Sequence, residues 1–435
     1  VRLLGDIPNK RAVWSWAVYD LANQSFQLLI NTLLFSIFVK EVIVGDAARG
    51  ARVWSVMAAV SLVVIVVLSP LVGALADQKS WKRELLLASG VVCAALTASL
   101  ALLGPGDVWL AAVLYVTAAV ACGLGENLLG AFLPQLSTPK TVGRISAFGW
   151  TMSYVGALAL LGIVALWAFV LGREGAEEAR PLFVFAGVWF FAGIVPTMLF
   201  LREREVVGEP VRASTGLVFP AVAASVARLG RTVREVGRFR QLARFLAIFF
   251  VYSMGTMSVV YFLGVLGDDI GFGLGELVLF ALVMSIAAGV AAGVTSQVQD
   301  RLGHRRTIRI FLGVWVVGVA ALGVSQLTGA PSWAFWTISS LLGVGLGGIG
   351  TTSRAIVGAF TPPDRAAEFF GLWGMVYKLA GVCGVLLFGV LSTVLADAAV
   401  SRALAIGVVG MFFLTGFVLI GLVDEEEGVR VAGGG

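Results

Sequence analysis

The sequence predicts an all-α integral membrane protein: twelve spanning helices in two pseudo-symmetric six-helix bundles. Three observations carry this. Of 435 residues, 59% are hydrophobic and only 13% charged, against about a quarter charged in an ordinary soluble domain. Apolar runs of about 20 residues, enough to cross a bilayer core, succeed one another along the whole chain. One phrase is also written twice. Glu126-Asn-Leu-Leu-Gly-Ala-Phe-Leu-Pro134 returns roughly half a chain later as Arg354-Ala-Ile-Val-Gly-Ala-Phe-Thr-Pro362. A repeat of this length in so apolar a chain points to two related halves facing each other in a membrane.

The first run begins after Lys10 and Arg11 and covers 13–39, too long for the apolar region of a signal peptide. Five more runs complete the first half: 53–76, 84–103, 108–133, 145–171 and 181–201. The second half reads 242–266, 275–299, 307–327, 333–359, 367–396 and 402–423. Breakers such as Gly104-Pro105-Gly106, Pro139 and Pro362-Pro363 fall in the gaps. The expected organisation is therefore a bundle over 1–201, a basic linker over 202–241, a second bundle over 242–423 and a tail over 424–435.

Lys and Arg concentrate in alternate connections: 1–11, 79–83, 140–144, 202–240 and 301–309. The positive-inside rule then puts both termini in the cytoplasm, in a multi-pass protein of the cell (inner) membrane. The net charge of +5 is read as this orientation signal and needs no nucleic-acid partner. In the linker, Arg228, Arg231, Arg234 and Arg238 recur at helical spacing among apolar residues, as in a basic helix lying on an anionic leaflet. The acidic tail from Asp424 is expected to be solvated and unstructured.

Catalytic chemistry finds little to work with. The cysteines, Cys93, Cys122 and Cys383, lie in apolar runs without a CxxC spacing, and His304 is the one histidine. No Walker loop, HExxH or Ser/His/Asp set is written. Gly343-Val-Gly-Leu-Gly-Gly348 lies inside a span, where close helix packing explains it better than nucleotide binding. No enzyme activity, cofactor or metal is expected.

Two short loops echo each other. Asp77-Gln-Lys-Ser-Trp-Lys82-Arg83 and Asp300-Arg-Leu-Gly-His-Arg305-Arg306 each set an acid ahead of two bases, and Gly73 or Ser296 precedes the acid by one turn. This resembles the cytoplasmic loop signature of the major facilitator superfamily, whose acid and bases gate and brace neighbouring helices. Three further stretches narrow the resemblance. They are Trp16-Ala-Val-Tyr-Asp20-Leu-Ala-Asn23-Gln-Ser25-Phe26, then Asn127 through Pro134 with Gly143-Arg-Ile-Ser-Ala-Phe-Gly149, and Ser353-Arg354 through Pro362-Pro363 with Ala367-Glu-Phe-Phe-Gly371 and Lys378. Together they look like the autophagy-related vacuolar amino-acid effluxer-like family. That resemblance implies alternating access by two rocking bundles, a small polar solute such as a neutral amino acid, and export rather than uptake. It also implies a cavity lined by the first, fourth, seventh and tenth helices.

The intramembrane charges are the candidate working parts. An ionisable group at membrane depth costs at least ~2.5–3.5 kcal/mol and therefore faces a cavity or a partner. Asp20, with Asn23 and Gln24 on the same helical face, is the candidate for proton coupling or else a structural pair. Ser253 stands at its place in the second half. Glu126 and Arg354, opposite in sign at repeat-equivalent positions, are expected to meet as a gate, or to bind within their own halves, or Arg354 to hold a substrate carboxylate. Lys378, deep in the eleventh run, is expected to neutralise Asp20 or another acid, to bind a substrate carboxylate, or only to snorkel, with Tyr377 and Trp373 as neighbouring aromatic surface. Asn127 joins Asn23 and Gln24 as a candidate substrate contact. The expected partners are a small-molecule solute, a proton or other coupling ion and the lipid bilayer, with the chain acting as a monomer. Efflux of lipophilic compounds, or a non-transporting sensor or scaffold built on the same fold, are the competing functions.

Overall fold

The computed structural model describes residues 7, 9–173, 175–203, 239–268, 274–328, 331–392 and 398–433. Among the described residues there are helices and turns but no strands. Twelve helices are long and apolar enough to span a membrane: α1 (Lys10–Val44), α2 (Arg49–Lys79), α3 (Lys82–Leu102), α4 (Val108–Leu136), α5 (Val142–Ala165), α6 (Ala176–Phe200), α7 (Arg240–Val260), α8 (Leu279–Leu302), α9 (His304–Ser325), α10 (Trp333–Ala359), α11 (Pro363–Leu391) and α12 (Ala403–Leu422). Each matches one of the apolar runs in the sequence. The basic helix expected over Arg228 to Arg238 lies outside the described residues.

Local chemistry sets the helix ends. The Asn9 side chain accepts from Ala12 N at the start of α1, and Asp46 caps the second helix through Arg49 N at 2.6 Å. Left-handed residues break the chain between α2 and α3 at Ser80 (φ 54°), and between α8 and α9 at Gly303 (φ 82°). α1 runs longer than its apolar core suggests, because Val42 and Ile43 stay buried to its end. Beyond Gln24 it widens into π-helical turns over Ser25–Leu34 and again over Val39–Val44, a form that often marks functional segments.

The tail departs from expectation. It is not an unstructured end: Glu425–Ala432 forms a short helix, α13, capped by Asp424 through Glu427 N at 3.0 Å. Two things hold it down. Gly428 lies against the Phe360 ring, and Glu427 accepts from Arg240 and Gln241 on α7. Those donors keep the Glu427 carboxyl below the usual carboxylate range. The run of acids is thus a helix-capping and pairing sequence, which charge counting alone reads as a solvated stretch.

The halves, α1–α6 and α7–α12, meet mainly where α2 packs on α11 and α5 on α8, a reciprocal pair of contacts. The repeated chain predicts this arrangement, since α8 and α11 are the counterparts of α2 and α5. Small residues allow the approach. A Cβ added at Gly73 of α2 would sit 2.1 Å from the Ala367 carbonyl oxygen, and one at Gly371 of α11 would sit 2.5 Å from that of Ser69. The glycine run of α10 serves the same end within its half, with Gly343 against the Met284 carbonyl and Gly347 against that of Ala288.

Alanine substitutions separate packing from propensity. Gly162 of α5 has nothing near its missing Cβ, so Gly162→Ala is expected to leave the melting temperature unchanged or raise it, by up to about 1 kcal/mol of helix propensity. Gly73→Ala forces α2 from α11 and is expected to cost about 1–3 kcal/mol. Thermal melts of the purified protein in detergent compare the two; equal effects would remove the close approach as the reason for Gly73.

Candidate functional site

The intramembrane charges pair across the boundary between the halves. Asp20 on α1 accepts from Arg354 on α10, with Nη1 to Oδ2 at 2.7 Å. Glu126 on α4 faces Lys378 on α11, with Nζ to Oε2 at 3.5 Å. Both acids belong to the first half and both bases to the second.

Arg354 is the more enclosed base. Its side chain is 7% exposed, and that of Asp20 is 10%. Besides Asp20 it donates to the Ser146 carbonyl at 2.8 Å and to Ser146 Oγ at 3.4 Å. The guanidinium also lies 4.8 Å from the centroid of Trp16 and 5.5 Å from that of Trp150, where a ring face attracts a cation. Gly149 makes this space: a Cβ there would come within 2.5 Å of the Trp16 ring and 2.6 Å of Arg354 Nη2. Trp16 is itself fixed by donating from Nε1 to the Leu129 carbonyl at 2.7 Å. The guanidinium therefore sits in a socket built from α1, α5 and α10, satisfied on several sides.

The second pair is looser and more exposed. Glu126 keeps 31% of its side-chain surface and Lys378 17%. Gln27 of α1 donates to Glu126 at 3.4 Å, and Lys378 Nζ lies 5.5 Å from the Tyr377 ring centroid. Tyr377 stacks on Trp373 and on Phe249 of α7. Lys378 lies 15 residues beyond Pro363, about 22 Å along α11, while Arg354 is little more than one turn from the end of α10. Lys378 is thus the deeper of the two bases, and the enclosed pair lies toward the end that carries the α2–α3 and α8–α9 loops.

At that loop end the signature residues build two latches. Asp77 accepts from Ala367 N (3.1 Å) and Glu368 N (2.7 Å), the first turn of the partner half's α11. Asp300 accepts from Gly143 N (2.8 Å) and Arg144 N (3.0 Å), the first turn of α5. Each acid thus caps a helix of the opposite half, where the helix dipole and free N–H groups favour a negative charge. Lys82 stands 3.4 Å from Asp77 and 3.6 Å from Glu203, and it donates to the Pro363 carbonyl at 3.4 Å. Arg83 donates to the carbonyls of Leu201 (2.7 Å) and Met198 (2.5 Å) at the end of α6. Burial raises the Glu203 carboxyl above its ordinary value, against the pull of Lys82.

Two expectations change here. Arg354 meets Asp20 and not Glu126, because its side chain crosses to the neighbouring α1 instead of its repeat counterpart; Glu126 takes Lys378. Asp20 is correspondingly a paired carboxylate, as one of its two readings has it. The loop signature also shifts by one residue. Counting from the acid matches Lys82 with Arg305 and Arg83 with Arg306, whereas Lys82 and His304 are the first residues of α3 and α9. Arg305 plays the part of Arg83, donating to the Val423 carbonyl after α12, and Arg306 is exposed.

Of the expected substrate contacts, Asn23 is buried inside the first half and Asn127 is buried at the boundary between the halves. Asn23 accepts from Cys122 Sγ at 2.9 Å, and Asn127 donates to Ser69 Oγ at 2.9 Å while pressing on Gly374. Gln24 is half-buried and donates to Ser153 Oγ at 2.6 Å. Trp373 is buried, and Tyr377 and Lys378 are half-buried. Sequence reasoning passed over Trp16, Ser146 and Gly149 as parts of the Arg354 socket, and Glu203 and Glu425 as parts of the latches. The last two were within reach, since Leu201, Glu203 and Arg83 precede Val423, Glu425 and Arg305 by one constant interval.

Known proteins share this architecture. Residues 43–433 match the family described as "Vacuole effluxer Atg22 like". An uncharacterized MFS-type transporter of Bacillus subtilis, YxiO, is 24% identical over 96% of both chains. Autophagy-related protein 22-1 of Emericella nidulans is 25% identical over 59% of this chain and 47% of that protein, so the match spans about half the fungal protein. Among solved structures, the human organic anion transporter MFSD10 superposes with a TM-score of 0.73 at 16% identity, covering 95% of this chain and 99% of that one. The proton:xylose symporter XylE gives 0.65 at 14% identity over 94% and 95%. With twelve spans, two latched halves and these relatives, the chain belongs to the Atg22-like vacuole effluxer family and is a multi-pass membrane transporter of the major facilitator type, not an enzyme.

Proposed function

We propose that this transporter exports a small polar solute in exchange for protons, with neutral amino acids the first class to test. The observation that carries the proposal is the enclosed Asp20–Arg354 pair, which ties the two halves together just inside the latched end. On the positive-inside reading that end is cytoplasmic, so the described state is closed to the cytoplasm. A proton on Asp20 removes one charge of the pair and weakens the hold of α10 on α1. The loop end can then part and expose the deeper site to the cytoplasm. Loss of the proton there, with solute bound, restores the pair and turns the site outward. Glu126 and Lys378 are the solute contacts in this scheme. They present both signs of charge and retain exposed surface.

Counterflow in proteoliposomes tests the substrate class, using labelled amino acids, sugars and organic acids with and without an imposed pH gradient. Exchange of a neutral amino acid that accumulates only when protons flow supports the reading; exchange of none of them removes the amino-acid assignment. Asp20→Asn is expected to abolish gradient-driven accumulation while sparing exchange, and unchanged pH dependence in that variant would sink the coupling role.

Glu126→Gln and Lys378→Gln each remove a charge-assisted contact of about 1.5–3 kcal/mol. Each is expected to weaken apparent solute affinity in counterflow about 10- to 100-fold. Wild-type affinity in both variants would exclude the pair from the binding site.

Stability reports the enclosed pair separately. Asp20→Asn leaves a buried guanidinium without its counter-charge and is expected to cost about 3–5 kcal/mol, a loss that the double variant Asp20→Asn/Arg354→Gln should largely reverse. Additive losses in a thermal-melt double-mutant cycle would mean that the two side chains are not coupled.

A further inference from the structure

The outer rim of the second half carries a charge that the first half lacks. At the interval that relates Arg83 to Arg305, Arg309 of α9 falls on Leu87, and Phe417 of α12 falls on Val195. Two apolar side chains in the first half are thus replaced by a cation and a ring. Arg309 is exposed, and its guanidinium carbon lies 4.8 Å from the Phe417 ring centroid. The surface beside it is apolar: Ile310 and Val317 of α9 and Leu414 and Val418 of α12 are all exposed, as on a face turned to acyl chains. Both helices give the same depth for the pair. α12 has 20 residues, about 30 Å at the usual rise, which matches the hydrocarbon core. Phe417 stands five residues before its end at Leu422, and Arg309 five residues after the start of α9 at His304, so both lie about 7 Å inside. The Phe417 ring also lies against Gly313, one turn deeper on α9, where an added Cβ would meet it at 3.5 Å. The guanidinium therefore rests on a ring inside the apolar band. Among the described residues it pairs with no carboxylate and donates no hydrogen bond.

We infer that Arg309, together with Arg305, binds the phosphate of an anionic phospholipid of the cytoplasmic leaflet, seated between α9 and α12. A charge at this depth requires a counter-ion. The acid at the same helix end does not supply it, because Glu425 spends both oxygens on the backbone nitrogens of His304 and Arg305, each at 3.0 Å. The lipid headgroups are the other source of negative charge at that level. Arg305 lies one turn nearer the cytoplasm on the same side of α9. It is exposed, and its Nη1 is fixed by the Val423 carbonyl at 3.1 Å. A guanidinium carries five N–H groups, so Arg305 keeps donors beyond that bond, and the ring beneath Arg309 takes up none of its donors. Two such groups one turn apart suit a phosphate, which accepts on several oxygens at once. The acyl chains then run along the exposed apolar side of α12. Phosphatidylcholine carries the same phosphate, but its ammonium would face the arginines as a like charge. The site therefore prefers a headgroup without that cation. The first half, with Leu87 and Val195, has nothing of the kind.

Native mass spectrometry of the full-length protein in detergent measures the first lipid bound, with dioleoyl phosphatidylglycerol and dioleoyl phosphatidylcholine titrated in parallel. Wild type is expected to bind the first phosphatidylglycerol about tenfold more tightly, the combined effect of two arginines at the membrane surface. Arg309→Leu, which installs the residue used by the first half, is expected to bring the two lipids to within about threefold. Phe417→Val, likewise taken from the first half, keeps the charge but removes its platform, and is expected to lower the preference about threefold. Lys140→Gln removes an exposed cation from the other half and is expected to leave the preference unchanged. Inorganic phosphate at millimolar concentration is expected not to displace the lipid. Equal binding of the two lipids by wild type, or the full preference persisting in Arg309→Leu, would overturn the inference. An equal loss in Lys140→Gln would overturn it in favour of diffuse surface charge, and displacement by phosphate in favour of a soluble ligand. No solute or gradient enters the measurement, so its failure is distinct from failure of the proposed transport function.

Discussion

Charge complementarity between the halves is the constraint on which the rest depends. The first half places Asp20 and Glu126 on the shared face, and the second half places Arg354 and Lys378 opposite them. Neither half can bury its own charges well alone, because an unpaired ion at membrane depth is costly. Each half therefore supplies what the other lacks, and the cost of separating them is set by how enclosed each pair is. The Arg354 socket is built to hold the pair closed, with the Ser146 carbonyl and two indole faces sharing the guanidinium. The Glu126–Lys378 pair is longer and partly exposed, and in the proposed scheme it is the one that takes the solute. One pair thus favours a conformation while the other remains available.

The loop end adds a second kind of complementarity, between a carboxylate and a helix N-terminus. Asp77 and Asp300 each cap the first turn of a helix in the opposite half. These bonds are directional, and they break when the helix ends separate. Together with the Gly73 and Gly371 contacts, which let α2 and α11 touch at backbone distance, they make the closed end a set of discrete bonds and not a soft hydrophobic seam. A two-state element of this kind is what alternating access requires.

Much of this was legible in the sequence, and the exceptions share a cause. Apolar run length placed all twelve spans, since bilayer thickness fixes helix length directly. The repeated phrase identified the two halves and marked Glu126 and Arg354 as charges worth following. It did not show that they miss each other. Repeat-equivalent residues are related by a pseudo-twofold axis and touch only if they lie close to it; Arg354 instead reaches the neighbouring α1. Helical periodicity gives the face of a residue relative to its own helix, but not the rotation of that helix against the next. The tail was misread for a related reason. Four consecutive acids look solvated until their partners, Arg240, Gln241 and the first turn of α9, are brought near from distant parts of the chain.

The one-residue shift between the two loops shows how such a miss can hide chemistry. Aligned from the acid, the second loop presents two arginines where the first has lysine and arginine, and the two latches read as equivalent. Aligned from the helix start, the first residue of α3 is lysine and that of α9 is histidine. The constant interval from Leu201 and Glu203 to Val423 and Glu425 supports the second alignment, because Arg83 and Arg305 bind the chain just after α6 and α12 in the same way. An internal repeat is therefore best aligned on the groups that satisfy one another, not on the most conspicuous charge. Once that is done, the asymmetry between a permanent cation and a titratable ring stands out in an otherwise symmetric frame.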